Sequence, residues 1–276
     1  MPDDPGAARP RVHLGTMGWN YADWLGPFYP TGTSSRDMLR LYARAFDTVE
    51  VDSTFYAIPA QKTVRGWLER TPEHFVFSLK LPQEITHERR LVGADSVLDE
   101  FLERAREMGP RLGPVLVQLG PDFSPAEQPA LERFLDRLPA DIRFAVEFRQ
   151  KGWITQEIHD LLSAHRVALA VSDGRFIPRE WALSLVRRPT TDFHYLRWLG
   201  ETRDIADHSH VQIDRTADLR EWAGVIGSLP LDAFTIYGYY NNHYSGHSPA
   251  TAHAMLKLLG EDPLAPDQVG DQISLF

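Results

Sequence analysis

Cysteine is missing from all 276 residues. That excludes disulfides and thiolate-bound metals and fits a cytoplasmic protein best. No apolar run approaches the roughly 18 residues that a membrane span needs. The polar, proline-rich start, MPDDPGAARP, has no apolar signal core, so residues 1–11 read as a frayed tail. Positive charge is in deficit, 29 Lys and Arg against 38 Asp and Glu. The net charge of −9 argues against a general nucleic-acid coat but leaves room for a local basic groove. No GxGxxG follows the first predicted strand, which weakens a dinucleotide-binding sheet, and no fixed-period repeat or low-complexity segment stands out. What is present is an ordinary globular composition, 43% hydrophobic and 24% charged, on a chain long enough for one large barrel or two modest domains.

The stretch TVEVDSTFY, Thr48 to Tyr56, organises the rest. Val49 and Val51 alternate with Glu50 and Asp52, a period-two strand pattern with one apolar and one acidic face. Buried charge is costly unless it is paired, metal-bound or placed in a wet cavity. The strand is therefore expected to end at the rim of a polar cavity.

Strand patterns recur at Val12 to Thr16, Thr48 to Asp52, Phe75 to Leu81, Pro114 to Leu119, Arg143 to Arg149, Val167 to Asp173, Phe193 to Trp198 and Phe234 to Asn242. Helical patterns lie between them: from Ser34 or Ser35 to Phe46, Lys62 to Arg70, Ala94 to Met108, Ser124 to Leu138, Thr155 to Ala164, Trp181 to Val186 and Leu219 to Ile226. A last helix opens at Ser248-Pro249 and closes at Gly260. Eight strands alternating with eight helices over about 250 residues predict an α/β fold, a single closed (β/α)8 TIM-type barrel over residues 12–260; a doubly wound open sheet is the runner-up. The segment after Gly260 reads as an extended linker.

In such barrels the site sits at the C-terminal ends of the strands. Glu50, Asp52, Lys80, Glu147 and Asp173 fall there and are the candidate catalytic groups. Gln118, Arg149, Arg197, Tyr239, Asn241 and Asn242 also fall there, with His87 in the loop beyond the third strand, and are candidate substrate contacts. The bland reading is that these charges pair across a solvated mouth, Glu147 with Lys80 or Asp173 with Arg197. In the eighth unit, YGYYNNHYSGHSPATA, Gly246 permits a close turn. His247 and Ser248 precede a helix whose free N–H groups favour an anion beside Arg197; ordinary capping is the alternative. Carboxylates and histidines at strand ends are able to hold Mg²⁺, Mn²⁺ or Zn²⁺. No metal-ligand motif is present, no metal ligand is assigned, and no cofactor is identified. His208 and His210 lie in a long loop, Gly200 to Arg215, that suits a lid. Trp19, Tyr21, Trp24, Phe28 and Tyr29 crowd the first loop, as a stacking surface to which Trp19 and Tyr56 contribute or as a plug closing the mouth.

Taken together, GTMGWNYADWLGPFYP, TVEVDSTFYAIP, FSLKLPQEITH, VLVQLGPDF, AVEFRQKGW and YGYYNNHYSGHSPATA resemble the YecE-like family, a family of unknown function, over nearly all of residues 12 to 260. The resemblance implies a TIM-type barrel and no established activity. The family usually reads EFRH where this chain has Glu147-Phe148-Arg149-Gln150, and often RxHG where it has Arg197-Trp198-Leu199-Gly200. Both departures weaken a histidine-based mechanism. The expected function is an enzyme acting by acid/base chemistry on a small anionic substrate, phosphate-bearing or nucleotide-like. The alternatives are a metal-dependent phosphoesterase or sugar isomerase, or a non-catalytic binding and recruitment module. The final residues, Gln272-Ile273-Ser274-Leu275-Phe276, resemble the short peptides with which bacterial replication and repair proteins dock on the sliding clamp. Gln272, Leu275 and Phe276 would be the anchors, and folding back onto the barrel is the alternative.

Overall fold

The computed structural model describes residues 11–229, 234–264 and 268–270. The clamp-like residues Gln272, Leu275 and Phe276, and the N-terminal tail before Arg11, lie outside them. In chain order the main elements are β1 (Arg11–Thr16), α1 (Ser35–Ala45), β2 (Thr48–Val51), α2 (Gln61–Glu69), β3 (Val76–Leu79), α3 (Asp95–Arg106), β4 (Val115–Gln118), α4 (Gln128–Arg137) and β5 (Phe144–Glu147). They continue with α5 (Gln156–Ala164), β6 (Ala168–Gly174), α6 (Arg179–Val186), β7 (Phe193–Gly200), α7 (Thr216–Gly227), β8 (Thr235–Tyr240), α8 (Asn242–Ser245) and α9 (Ser248–Leu258). The expected alternation is present, with the short α8 added ahead of the last helix.

The expected closure is not. Six parallel strands form one curled sheet in the order β1-β8-β7-β6-β5-β4, a half-barrel, while β2 and β3 form a separate two-stranded sheet. Among the described residues the two sheets meet only through isolated bridges, Met17 to Glu50 on one side and Phe77 to Leu112 and Lys80 to Leu116 on the other. A closed eight-strand ladder therefore gives way to two sheets facing one interior. The cause at the first seam is a side chain. The Tyr42 hydroxyl, carried in by α1, accepts from the Thr16 N–H at 2.8 Å and donates to the Thr48 carbonyl at 3.0 Å. The phenol takes two backbone groups that a β1–β2 ladder would otherwise use. Gly15 makes room for it, since a Cβ there would lie 2.2 Å from the Thr48 oxygen and 2.7 Å from the Tyr42 hydroxyl. Period-two alternation alone could not reveal this wedge.

Alternation still divides the core into two. Outward residues such as Val49, Val51, Phe77, Leu79, Val117 and Val146 pack against the helices. Inward residues Leu116, Ala145, Ala168, Ala170, Tyr195, Tyr237 and Tyr239 fill the interior. The Tyr239 hydroxyl reaches across to Thr48 Oγ1 at 2.9 Å and Ser78 Oγ at 2.7 Å, tying β8 to both strands of the small sheet.

The first-loop aromatics form a plug. Trp24, Phe28 and Tyr29 are buried, Trp24 meets Phe28 edge-on at 5.7 Å, and the Trp24 indole N–H donates to Asn242 Oδ1. The segment after Gly260 is not a free linker throughout: Val269 is buried within the main core, and a Cβ on Gly270 would meet Pro30.

Tyr42→Phe is expected to destabilise the protein by about 1–3 kcal/mol, because buried backbone groups lose their partner while packing is retained. Urea unfolding checks this. An unchanged midpoint would show that the hydroxyl does not hold the seam.

Candidate functional site

Period two in the strands aims several polar and charged groups into the interior. Glu50 comes from β2, Glu147 from β5, Ser172 from β6, and Tyr195 and Arg197 from β7. The Arg197 guanidinium lies between both glutamates. Its Nη2 is 2.7 Å from Glu50 Oε1, its Nε is 3.0 Å from Glu50 Oε2, and its Nη1 is 2.5 Å from Glu147 Oε2. Tyr195 donates to Glu50 Oε2 at 2.8 Å and Ser172 to Glu147 Oε2 at 2.8 Å. Arg149 extends the chain, its Nε donating to Glu147 Oε1 at 3.0 Å. Glu50, Arg197 and Glu147 are all buried.

The two carboxylates differ in environment. Burial pushes Glu50 above its ordinary value, with the Arg197 charge opposing it. Burial acts on Glu147 in the same sense, but Arg197 and Arg149, with hydrogen bonds from Arg197 and Ser172, outweigh it and hold Glu147 down at about 2. Both glutamates keep Arg197 protonated, its own value well above normal despite burial.

Above this layer opens a cavity of about 250 Å³ lined by Asp52, Phe55, Tyr56, Lys80, Arg149, Arg175, Arg203, Asn241 and His243, among others. Lys80 is only 8% exposed. Its backbone N–H is pinned by Thr54 Oγ1 at 3.0 Å, and its Nζ stands 3.9 Å from the Phe55 ring centroid. Among the described residues the Lys80 ammonium makes no hydrogen bond or ion pair, and neither does the Asp52 carboxylate. Burial lowers the Lys80 pKa; Asp52 acts against this and Arg197 with it. Arg149 and Arg175 both face the Phe176 ring, at 4.9 and 4.7 Å. Tyr56 stands 73% exposed at the rim.

Glu50, Asp52, Lys80, Glu147, Arg149, Arg197 and Asn241 are thus brought together. His87 borders them, edge-on to Phe55 at 5.0 Å and 3.4 Å from Gln118 Nε2. Other expected site residues are placed elsewhere. Asp173 alternates out of the interior and accepts from Trp222 at 2.7 Å, Tyr244 at 3.2 Å and Arg179 at 3.1 Å, under α6 and α7. Tyr239 turns its hydroxyl to Thr48 and Ser78, and Trp19 packs on Trp67. Asn242 caps α9, its Oδ1 accepting from the Ser248 N–H at 3.0 Å and hydroxyl at 2.7 Å.

The anion site expected at this turn is therefore already filled by a side chain, and Arg197 beside it is engaged by two carboxylates. His247 is buried with its Nδ1 2.8 Å from the His208 carbonyl. Gly246, at φ 109°, allows the turn to touch the His210 carbonyl, which a Cβ would meet at 2.5 Å. This contact, with the Gln212 and Ile213 N–H groups on the Ser245 carbonyl, anchors the far half of the expected lid; Glu201–Arg203 of the near half line the cavity. Among the described residues no three His, Asp or Glu side chains form a group able to hold a metal.

Sequence reasoning missed Ser172, Tyr195, Phe55, Arg175, Phe176 and Arg203. Tyr195 was findable by parity, since it is two residues before Arg197, whereas reading Asp173 as inward placed its neighbour Ser172 outward. Arg175, Phe176 and Arg203 sit in loops, where no period exists.

Glu147→Gln leaves the buried Arg197 with half of its counter-charge and is expected to cost about 3–5 kcal/mol. Glu147 titrates lower in the folded chain than the ordinary 4.5. Its ionised form therefore stabilises fully above that pH, by about 3 kcal/mol, and the contribution is lost as pH falls through about 2. Urea unfolding of both proteins from pH 7 downward should show the gap narrowing only below about 4.5. A gap independent of pH would refute the paired carboxylate.

The chain is 34% identical over 169 residues to the UPF0759 protein YecE of Escherichia coli (strain K12), a stretch covering 59% of this chain and 60% of that protein's length. It is 25% identical over 281 residues to the UPF0759 protein YunF of Bacillus subtilis (strain 168), covering 94% of this chain and 99% of that protein. Crystal structures of DUF72 family proteins share the fold. One from Thermotoga maritima has TM-score 0.74 at 24% identity, covering 91% of this chain and 100% of that one. One from Enterococcus faecalis V583 has TM-score 0.71 at 19% identity, covering 92% and 100%. The family model described as "Protein of unknown function DUF72" matches residues 13–272, and the chain belongs to that family.

Proposed function

We propose that the cavity binds a small anionic substrate, phosphate-bearing or nucleotide-like in class, and that Asp52 and Lys80 carry out acid/base chemistry on it. The observation that supports this is the Lys80 ammonium: nearly buried, at the mouth of a cavity, with no hydrogen bond or ion pair among the described residues. A buried charge without a partner is costly, and an anionic ligand supplies the partner. Arg149, Arg175 and Arg203 line the same space. Of the acidic residues there, Glu201 faces Arg215 at 3.9 Å, which leaves Asp52 uncommitted. Phe55 and Tyr56 offer an aromatic edge to a flat portion of the ligand. In this reading Glu50, Glu147 and Arg197 form a fixed floor that holds Arg149 in place, and they are positioning residues rather than proton carriers.

Thermal unfolding against inorganic phosphate, nucleoside monophosphates and sugar phosphates tests the reading. A ligand at 100 times its Kd adds about 2.7 kcal/mol, which for a chain of this size raises Tm by roughly 5–10 °C. Lys80→Met and Arg203→Ala should each weaken that protection by at least about tenfold in ligand concentration, one lost charge-assisted contact being worth roughly 1.5–3 kcal/mol. Protection that survives both changes undiminished would place the ligand elsewhere. No protection by any of these compounds would remove the anionic-substrate reading.

A further inference from the structure

Four cations line the cavity as arginines, Arg149, Arg175, Arg197 and Arg203, and one as a lysine. Anion binding alone is better served by arginine, whose planar fork matches phosphate and carboxylate and whose charge is permanent. Among the lysine and arginine side chains there, Lys80 alone has a proton it can readily give up. It is also the buried lysine of the chain: Lys62, Lys151 and Lys257 are exposed. Its position is fixed at both ends, with the backbone held by Thr54 and the head group over the Phe55 ring. The nitrogen faces the cavity with no acceptor attached, and Asp52, the carboxylate without a partner, lines the same space.

We propose that Lys80 is an amine nucleophile that forms an imine with the carbonyl group of an anionic substrate, an aldehyde or ketone carrying a phosphate or carboxylate. This rests on the anionic-substrate reading above and gives its lysine a covalent role. The ammonium first passes one proton to Asp52 through a water in the cavity they both line. The nitrogen lone pair then forms a C–N bond to the carbonyl carbon, while the π pair of the C=O moves onto oxygen. That oxygen takes the proton back from Asp52. A second proton moves from nitrogen through Asp52 to the hydroxyl, which leaves as water as the nitrogen lone pair forms C=N. The products are the protonated imine and one water, with Asp52 again a carboxylate. Desolvation of the ammonium, and Arg197 beyond it, favour the neutral amine that the first step needs. Arg149, Arg175 and Arg203 would hold the anionic end of the substrate.

The full chain is incubated at pH 7 with glyceraldehyde 3-phosphate, pyruvate or uncharged glyceraldehyde, each with sodium cyanoborohydride, which reduces an imine to a stable secondary amine. Peptide mass mapping then reads the label at each lysine. With the two charged probes, Lys80 is expected to label at least about tenfold faster than Lys62, Lys151 and Lys257, with inorganic phosphate suppressing the label from glyceraldehyde 3-phosphate. Asp52→Asn should slow Lys80 labelling by roughly tenfold or more without reducing thermal protection by phosphate. Labelling of Lys80 no faster than the exposed lysines overturns the proposal, and so does equal labelling by uncharged glyceraldehyde. If phosphate still stabilises the protein while Lys80 stays unlabelled, the imine is refuted and the anion-binding reading stands. If phosphate gives no protection and Lys80 stays unlabelled, both fall.

Discussion

The guanidinium of Arg197 holds together two sheets that the backbone joins only through isolated bridges. β2 and β3 share only isolated bridges with the six-stranded sheet among the described residues. What crosses the interior is side-chain chemistry in two layers. In the lower layer, Tyr239 on β8 bonds Thr48 and Ser78. In the upper layer, Arg197 on β7 bonds Glu50 on β2 and Glu147 on β5. Charge-assisted hydrogen bonds of this kind are about twice as strong as neutral ones and are directional. A buried ion pair is nonetheless weak evidence for net stability, because desolvation offsets most of the attraction. Its value here is geometric: it fixes where β2 sits relative to β5 and β7, and therefore where Asp52 and the Phe55-Tyr56 edge that follow β2 stand over the cavity.

That arrangement separates two kinds of charge. The floor carries Glu50, Arg197, Glu147 and Arg149 in one connected chain, each engaged by a neighbour. The mouth carries Lys80 and Asp52, which make no such contact among the described residues. A polar network satisfied throughout is rigid, and in a low-dielectric interior a broken one is costly. The floor is therefore the part of the site least able to change protonation during turnover, and the mouth is the part free to do so. Perturbed titration by itself would have pointed at Glu50 and Glu147 as much as at Lys80; the absence of side-chain hydrogen-bond partners among the described residues singles out Lys80 and Asp52.

Much of this was legible in the chain. The alternation of strands and helices, the inward Glu50 and the convergence of Lys80, Glu147, Arg149 and Arg197 follow from period-two patterning, because parity in a strand is a hard geometric constraint. Closure was not legible; at the seam between β1 and β2 it was decided by one helix side chain, Tyr42. Asp173 was misplaced for another reason. Its place at the end of β6 was read without its parity: Ala168, Ala170 and Ser172 point inward, so Asp173 points out to Trp222. Ser248-Pro249 read as a free helix start, yet Asn242 caps it from a turn that only the short α8 creates. The residues of the loops after β6 and β7 carried no pattern at all. Chain-local rules therefore found the strand-borne groups and failed where the deciding contact came from another element.

The charge distribution bears on the size of ligand that the proposed site would take. The chain as a whole carries −9, while the cavity concentrates Lys80, Arg149, Arg175 and Arg203 beside one uncommitted carboxylate. A negative exterior repels extended polyanions over the whole approach, and screening confines that repulsion to about 8–10 Å at physiological salt. A small anion reaching the mouth leaves the repulsive region within that distance and meets cations set in low-dielectric walls, where attraction is strongest. An extended polyanion gains less, because the phosphates that stay outside the mouth meet a chain of net negative charge. A short anionic molecule, or a single anionic terminus of a larger one, is the ligand for which both features act in the same direction.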